Sequence, residues 1–165
     1  MDMLRVFTTG GTIDKVYFDA LSAYQVGEPA AAKVFTAMRV DVPFEITSLM
    51  RKDSLELTDA DRDAICQAVL DAPQEHVLIT HGTDTMEQTA RALQQALAAQ
   101  PGKRVVLTGA LLPGAFRDTD AIFNIGFALG ALQAMSGGVR VAMNGRLFTP
   151  DRVRKDREAG KFVDG

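Results

Sequence analysis

The chain has one cysteine, Cys66, so no disulfide can form within it and its stability has to come from packing. Its two histidines, His76 and His81, have no cysteine or histidine partners at ligand spacing. They read as strand-end residues, and no metal is expected. Basic excess is also missing. With a formal net charge of -3, neither nucleic acid nor an anionic membrane surface is the expected partner. No apolar run reaches the roughly eighteen residues a membrane helix needs. Ala121 to Met135 comes nearest, is broken by Asn124, Gly126 and Gly130, and reads as a core or interface helix. Met1 leads straight into Leu4-Arg5-Val6-Phe7 without the basic start, apolar stretch and cleavage site of a secretory leader, so a cytoplasmic location is expected. Phosphate-binding loops are lacking too. Neither Gly102-Lys103 nor Gly160-Lys161 is followed by serine or threonine, and no G-x-G-x-x-G follows Phe7. ATP and dinucleotides lose their usual support, and no cofactor is expected.

What remains is a composition that folds. The 165 residues are 47% hydrophobic and 24% charged, with 14 glycines spread along the chain, which suits one soluble domain with a real core. Leu4 to Thr8 reads as a buried strand running into the Gly10-Gly11 turn. Ile13 to Glu28 is irregular and reads as a loop or weak hairpin. Pro29 to Met38 is alanine-rich and helical, with Pro29 in its first turn, and Phe44 to Leu49 alternates as a strand. Thr58, three residues before Asp61, caps a helix reaching about Ala72. His76 to Thr80 reads as a strand, and Met86, Ala90, Leu93 and Leu97 then repeat at helical spacing. Arg104 to Thr108, a loop to Asp118 and a helix from Thr119 to Met135 repeat that order, and Val139 to Met143 is a last strand. Such alternation requires crossovers between parallel neighbours. The expected fold class is therefore α/β: a three-layer α/β/α arrangement around a mostly parallel sheet, Rossmann- or flavodoxin-like. Beyond Asn144 the charged run Arg146 to Glu158 reads as an exposed tail or a segment folded across the site.

In such sheets ligands lie beyond the carboxyl ends of the strands, where Gly10-Gly11-Thr12, Gly82-Thr83-Asp84 and Gly109-Ala110 fall. Thr12, just past a double glycine, has an exposed hydroxyl with backbone amides nearby to hold developing negative charge; its plainer role is to satisfy a turn. In His81-Gly82-Thr83-Asp84-Thr85-Met86-Glu87 a hydroxyl and a carboxylate open a helix whose positive end favours anions. Asp84 with Glu87, or Thr85 with Gln88, also fits a simple helix cap. If Thr12 and Thr83 share neighbouring strand ends, two hydroxyls, a carboxylate and several amides converge on a space suited to a small polar substrate. A threonine nucleophile needs a base, and a desolvated Lys155 is the candidate, although a lysine in a charged run is by default solvated.

Thr8-Thr9-Gly10-Gly11-Thr12-Ile13 and Thr80-His81-Gly82-Thr83-Asp84-Thr85-Met86-Glu87 together resemble the two signature loops of the bacterial-type L-asparaginase and glutaminase family. Ser22 to Gly27, Asp53-Ser54, Val105 to Ala110 with Pro113, and Val141 to Asn144 with Lys155 fit in order, so the resemblance spans nearly the whole chain. It implies an asparaginase N-terminal-domain fold and release of ammonia from L-asparagine. It further implies Thr12 as nucleophile, Tyr24 beside it on a mobile loop, and a second triad of Thr83, Asp84 and Lys155. Asp84 would bind the substrate's ammonium group and Ser54 its carboxylate, with amides around Gly11 and Gly82 holding the oxyanion. Which threonine attacks stays open, with Thr12 ranked first. Leu55 stands where larger members often carry a polar ligand, and Ala121-Ile122 replaces the usual Gly-Pro before Asn124. Family members normally continue into a C-terminal domain that supplies an acidic residue to a neighbouring subunit's site. This sequence is read as a short, single-domain form that self-associates through the apolar helix Thr119 to Met135, as a dimer or larger homo-oligomer. An ammonia-supplying amidotransferase subunit and a non-catalytic amino-acid sensor are the alternatives.

Overall fold

The computed structural model describes all residues from Met1 to Gly165. Its central sheet has the strand order β4-β1-β5-β6-β7-β8. β1 (Leu4–Gly10) lies between β4 (Phe44–Lys52) and β5 (His76–Thr80), and β6 (Arg104–Thr108) and β7 (Gly138–Met143) follow, all parallel. Among the parallel strands the order is that of the flavodoxin-like doubly wound sheet, whose ligand crevice lies where the order reverses. Here that point is between the carboxyl ends of β1 and β5.

Residues alternate across the sheet, and each face feeds its own core. Val77, Ile79, Val105 and Leu107 pack towards α2 (Asp59–Asp71) and α3 (Met86–Ala96). Leu78 and Val106 pack towards α1 (Ala30–Ala37) and α4 (Ala121–Ala134). The central strands are apolar on both faces because both are covered, which is why they read as continuous hydrophobic runs. Thr58 caps α2 as its spacing requires: its hydroxyl accepts from the Asp61 amide, and the Asp61 carboxylate accepts the Thr58 amide in return. α4 buries Ala121, Ile125, Ala128 and Leu132 while leaving Ile122 and Phe123 exposed. No helix is long and apolar enough to cross a membrane.

Residues 13–28, read as a loop or weak hairpin, form an antiparallel hairpin of β2 (Lys15–Phe18) and β3 (Ala23–Val26). Two helix starts differ from the sequence reading. Pro29 precedes α1 as its cap and does not lie in its first turn, and α4 starts at Ala121, with the Thr119 hydroxyl accepting the Ala121 amide. Of the two readings of the charged run after Asn144, the folded segment holds, as an ordered return. Asn144 and Gly145 both take positive φ, 55° and 73°, the combination that turns a two-residue hairpin. β8 (Arg146–Phe148) therefore pairs antiparallel with β7. A second hairpin, β9 (Val153–Asp156) with β10 (Lys161–Asp164), follows and puts Val153 and Phe162 into the core under α3.

Candidate active site

The site is built where β1 and β5 end. Gly11 adopts φ 83° and ψ -177°, backbone that only glycine enters readily. A Cβ there would lie 2.4 Å from Gly82 Cα, and one on Gly82 would lie 2.5 Å from Ser54 Cβ. Three loops from β1, β4 and β5 thus touch through glycine. This contact joins the loops after β1 and β5 at the switch point, and Thr12 and Thr83 are each the next residue along. Thr12 is half-buried and begins a short 3-10 turn, Thr12–Asp14; no side chain hydrogen-bonds to its hydroxyl. Thr83 is buried.

Lys155 reaches Thr83 and Asp84 from the β9–β10 hairpin. Its Nζ donates to Thr83 Oγ1 at 2.8 Å and to Asp84 Oδ1 at 2.9 Å. The lysine is therefore tied to a carboxylate and is not the solvated residue its charged neighbours suggested. Burial pushes the Asp84 carboxyl up, but Lys155 and Arg157 together outweigh it and hold it below the usual range. Arg157, whose Nε lies 3.3 Å from Asp84 Oδ1, is a participant that sequence reading missed. Its distance along the chain from Asp84 hides the pairing.

Ser54 is buried at 2% exposure. Its Oγ accepts the Asp84 amide at 3.1 Å and its carbonyl accepts the Thr85 hydroxyl at 2.8 Å. The cap readings of the second loop are corrected by this: Thr85 stands at the N-cap of α3 but makes no side-chain cap bond, because its hydroxyl is spent on Ser54. The Ser54 hydroxyl proton has no acceptor within the chain and is free to donate. Leu55 is exposed beside it. Asp53 pairs with Lys15 at 2.8 Å, which lowers its carboxyl despite partial burial and ties the β2–β3 hairpin to this loop.

Tyr24 stands apart from this cluster. It faces Tyr17 across the hairpin, packs edge-on to it at 5.5 Å and lies 6.0 Å from the Phe116 ring. It is half-exposed and makes no hydrogen bond to Thr12. The hairpin is anchored at its base by Asp14, whose carbonyl accepts the Gly27 amide at 2.7 Å and whose Oδ1 accepts the Ala30 amide at 2.8 Å. Burial raises the Asp14 carboxyl to about 6, against the opposing Ala30 hydrogen bond and the Arg51 charge.

His81 is fully buried. Its Nδ1 lies 2.7 Å from the Gly82 carbonyl, which can only accept, so Nδ1 carries the proton and Nε2 accepts from Thr89 Oγ1 at 2.8 Å. Burial depresses its pKa to about 4. A neutral imidazole thus fixes the turn that presents Thr83. Asparagines hold the other side of the site. Asn124 donates to the Gly109 carbonyl and accepts the Asn144 amide, and Asn144 accepts the Phe162 amide at 2.9 Å. This relay links α4 and the ends of β6 and β7 to the hairpin carrying Lys155. No group of three or more histidine, cysteine, aspartate or glutamate side chains is placed to hold a metal ion.

A doubly wound domain that gathers two threonines, a buried serine and a lysine–aspartate pair at its switch point has the layout of a site for a small polar molecule. Residues 3–160 match the family described as asparaginase, N-terminal. The chain is 32% identical over 164 residues to an L-asparaginase of Thermococcus kodakarensis, covering 95% of this chain and 48% of that protein. The solved thermostable L-asparaginase from Thermococcus kodakarensis superposes with a TM-score of 0.86 at 28% identity, covering 98% of this chain and 51% of that one. A probable cytoplasmic L-asparaginase from Campylobacter jejuni gives 0.83 at 26% identity, over 99% and 54% of the two chains. A shorter stretch of 93 residues is 33% identical to a glutamyl-tRNA(Gln) amidotransferase chain of Pyrobaculum aerophilum, covering 54% of this chain and 22% of that protein. The chain belongs to the asparaginase family and corresponds to its N-terminal domain. It spans about half the length of the L-asparaginases it matches.

Proposed function

We propose that the protein hydrolyses the side-chain amide of L-asparagine to L-aspartate and ammonia through a threonine ester. The observation that carries this reading is the Thr83–Lys155–Asp84 cluster, set by glycine contact beside the unpartnered hydroxyl of Thr12. Thr12 Oγ attacks the carboxamide carbon. Its proton passes to the amide nitrogen, by way of Thr83 with Lys155 behind it, so that ammonia leaves and an aspartyl ester remains. Water then adds to the ester carbon, returns a proton to Thr12 and releases aspartate. The amides around Gly11 and Gly82 stabilise the two oxyanions. The ionised Asp84 receives the substrate's ammonium group, and the free Ser54 hydroxyl proton faces its carboxylate. Tyr24 joins Thr12 only if the β2–β3 hairpin moves inward.

Ammonia release by the purified chain from L-asparagine, beside L-glutamine and D-asparagine and with chelator added, tests this. Chelator-indifferent release from L-asparagine supports the reading, and no release from any of the amides refutes it. Asparagine and glutamine differ by one methylene, worth only about 1–3 kcal/mol in a pocket, so glutamine is a natural second substrate. The similarity to an amidotransferase chain supports a second reading, in which hydrolysis appears only with a partner protein. Self-association through the exposed Ile122 and Phe123 face of α4 belongs to the same proposal, and sedimentation at micromolar concentration giving only monomer would count against it.

A further inference from the structure

Asp84 is one carboxylate facing two cations. Lys155 and Arg157 both donate to its Oδ1, at 2.9 and 3.3 Å, and they are held very differently. The Lys155 side chain is 17% exposed, and its ammonium also donates to Thr83. The Arg157 side chain is 68% exposed and its ion pair is with Asp84 alone. Carboxylates next to Arg157 in the chain do not take it. Asp156 accepts the Ala159 amide instead, and Glu158 forms no ion pair. The turn of the β9–β10 hairpin thus delivers a weakly held guanidinium to the exposed side of the Lys155–Asp84 pair. A ligand amine would bring a third positive charge to the same oxygen pair.

We propose that Arg157 is a specificity-determining residue that occupies the amine-receiving side of Asp84. Ligands carrying an α-amino group bind by displacing its guanidinium, and ligands lacking that group leave it in place. This deepens the reading of Asp84 as receptor for the substrate's ammonium group and rests on it. Displacement is feasible because an exposed pair with a single contact is worth little. Lys155, with two partners and little exposure, stays. Arg157 thereby narrows the advantage an amino acid holds over its deaminated analogue.

The test is binding of L-aspartate and of succinate, which differ only by the amino group, followed by NMR titration of the full chain. Arg157→Gln should tighten L-aspartate about two- to fivefold without tightening succinate, and Arg157→Glu should widen the gap further. Arg154→Gln removes the same charge from the same hairpin. Arg154 alternates with Lys155 along β9 and lies against Gly165 instead, so this variant should leave the ratio of the two affinities as in the wild type. The inference is overturned if Arg157→Gln changes both ligands alike, if Arg154→Gln shifts the ratio as much, or if the wild type binds neither ligand. Failure of the hydrolytic reading shows separately, as absent ammonia release, because both probes are unreactive.

Discussion

Replacing Gly11 with alanine should damage stability and activity together, and the structure sets the size of both effects. At φ 83° and ψ -177° an L-residue costs about 1–3 kcal/mol. The new Cβ would also lie 2.4 Å from Gly82 Cα and 2.5 Å from Gly82 N, so the ends of β1 and β5 must separate by about 1 Å to restore van der Waals contact. Overpacking of this kind costs about 1–3 kcal/mol more. The sum, about 2–6 kcal/mol, lowers the Tm of a chain this size by roughly 5–20 °C. The same displacement moves Thr12 away from Thr83, and misplacement by about 1 Å costs on the order of a hundredfold in rate. Thermal unfolding by circular dichroism and ammonia release at a temperature where the variant is folded give the two numbers. Gly126→Ala and Gly130→Ala serve as controls: a Cβ at either meets nothing within 4 Å, and each should stabilise α4 by up to about 1 kcal/mol. A Gly11→Ala variant with wild-type Tm and rate would refute the argument that backbone contact sets the site.

Asp14 makes stability fall with rising pH. Its folded pKa of about 6 lies above its ordinary 3.8, so the folded state holds the proton more tightly and loses about 3 kcal/mol as pH rises through that window. Asp14→Asn keeps an acceptor for the Ala30 amide, and urea titrations at several pH values should show the slope between those limits flattened. Lys155→Met should lower kcat by about a hundredfold or more, with the far-ultraviolet dichroism unchanged; retention of activity would remove Lys155 from the mechanism. Asn144→Ala loses the left-handed preference of its turn and the acceptor for Phe162, about 2–3 kcal/mol in all. Faster hydrogen exchange at the Phe162 amide, ahead of the sheet amides, is the expected signature.

The parallel core was legible because its strands are buried on both faces and its helices start at recognisable signals such as Thr58. Thr12, Thr83 and Asp84 were legible because they sit in glycine-bounded loops at strand ends. The segment after Asn144 was legible only as one of two alternatives, a tail or a segment folded across the site, since its charged surface residues mask three strands whose inward positions, Phe148, Val153 and Phe162, are too few for a periodic signal. The Asn144-Gly145 pair was the available cue. Arg157 and the Asp14 anchor depend on pairings between distant segments, and local pattern does not encode those. Thr85 read as a helix cap because cap spacing is satisfied in the sequence, while the Ser54 carbonyl competes for its hydroxyl only in three dimensions.

The hairpin that brings Lys155 to Thr83 also supplies Val153 and Phe162 to the core beneath α3. The position of the lysine therefore depends on the packing of that core. A chain in which this hairpin has come loose can keep β1 and β5 in place yet lack the cation that holds Thr83 and Asp84. On the proposed mechanism, loosening of this hairpin should lose activity before the parallel sheet opens.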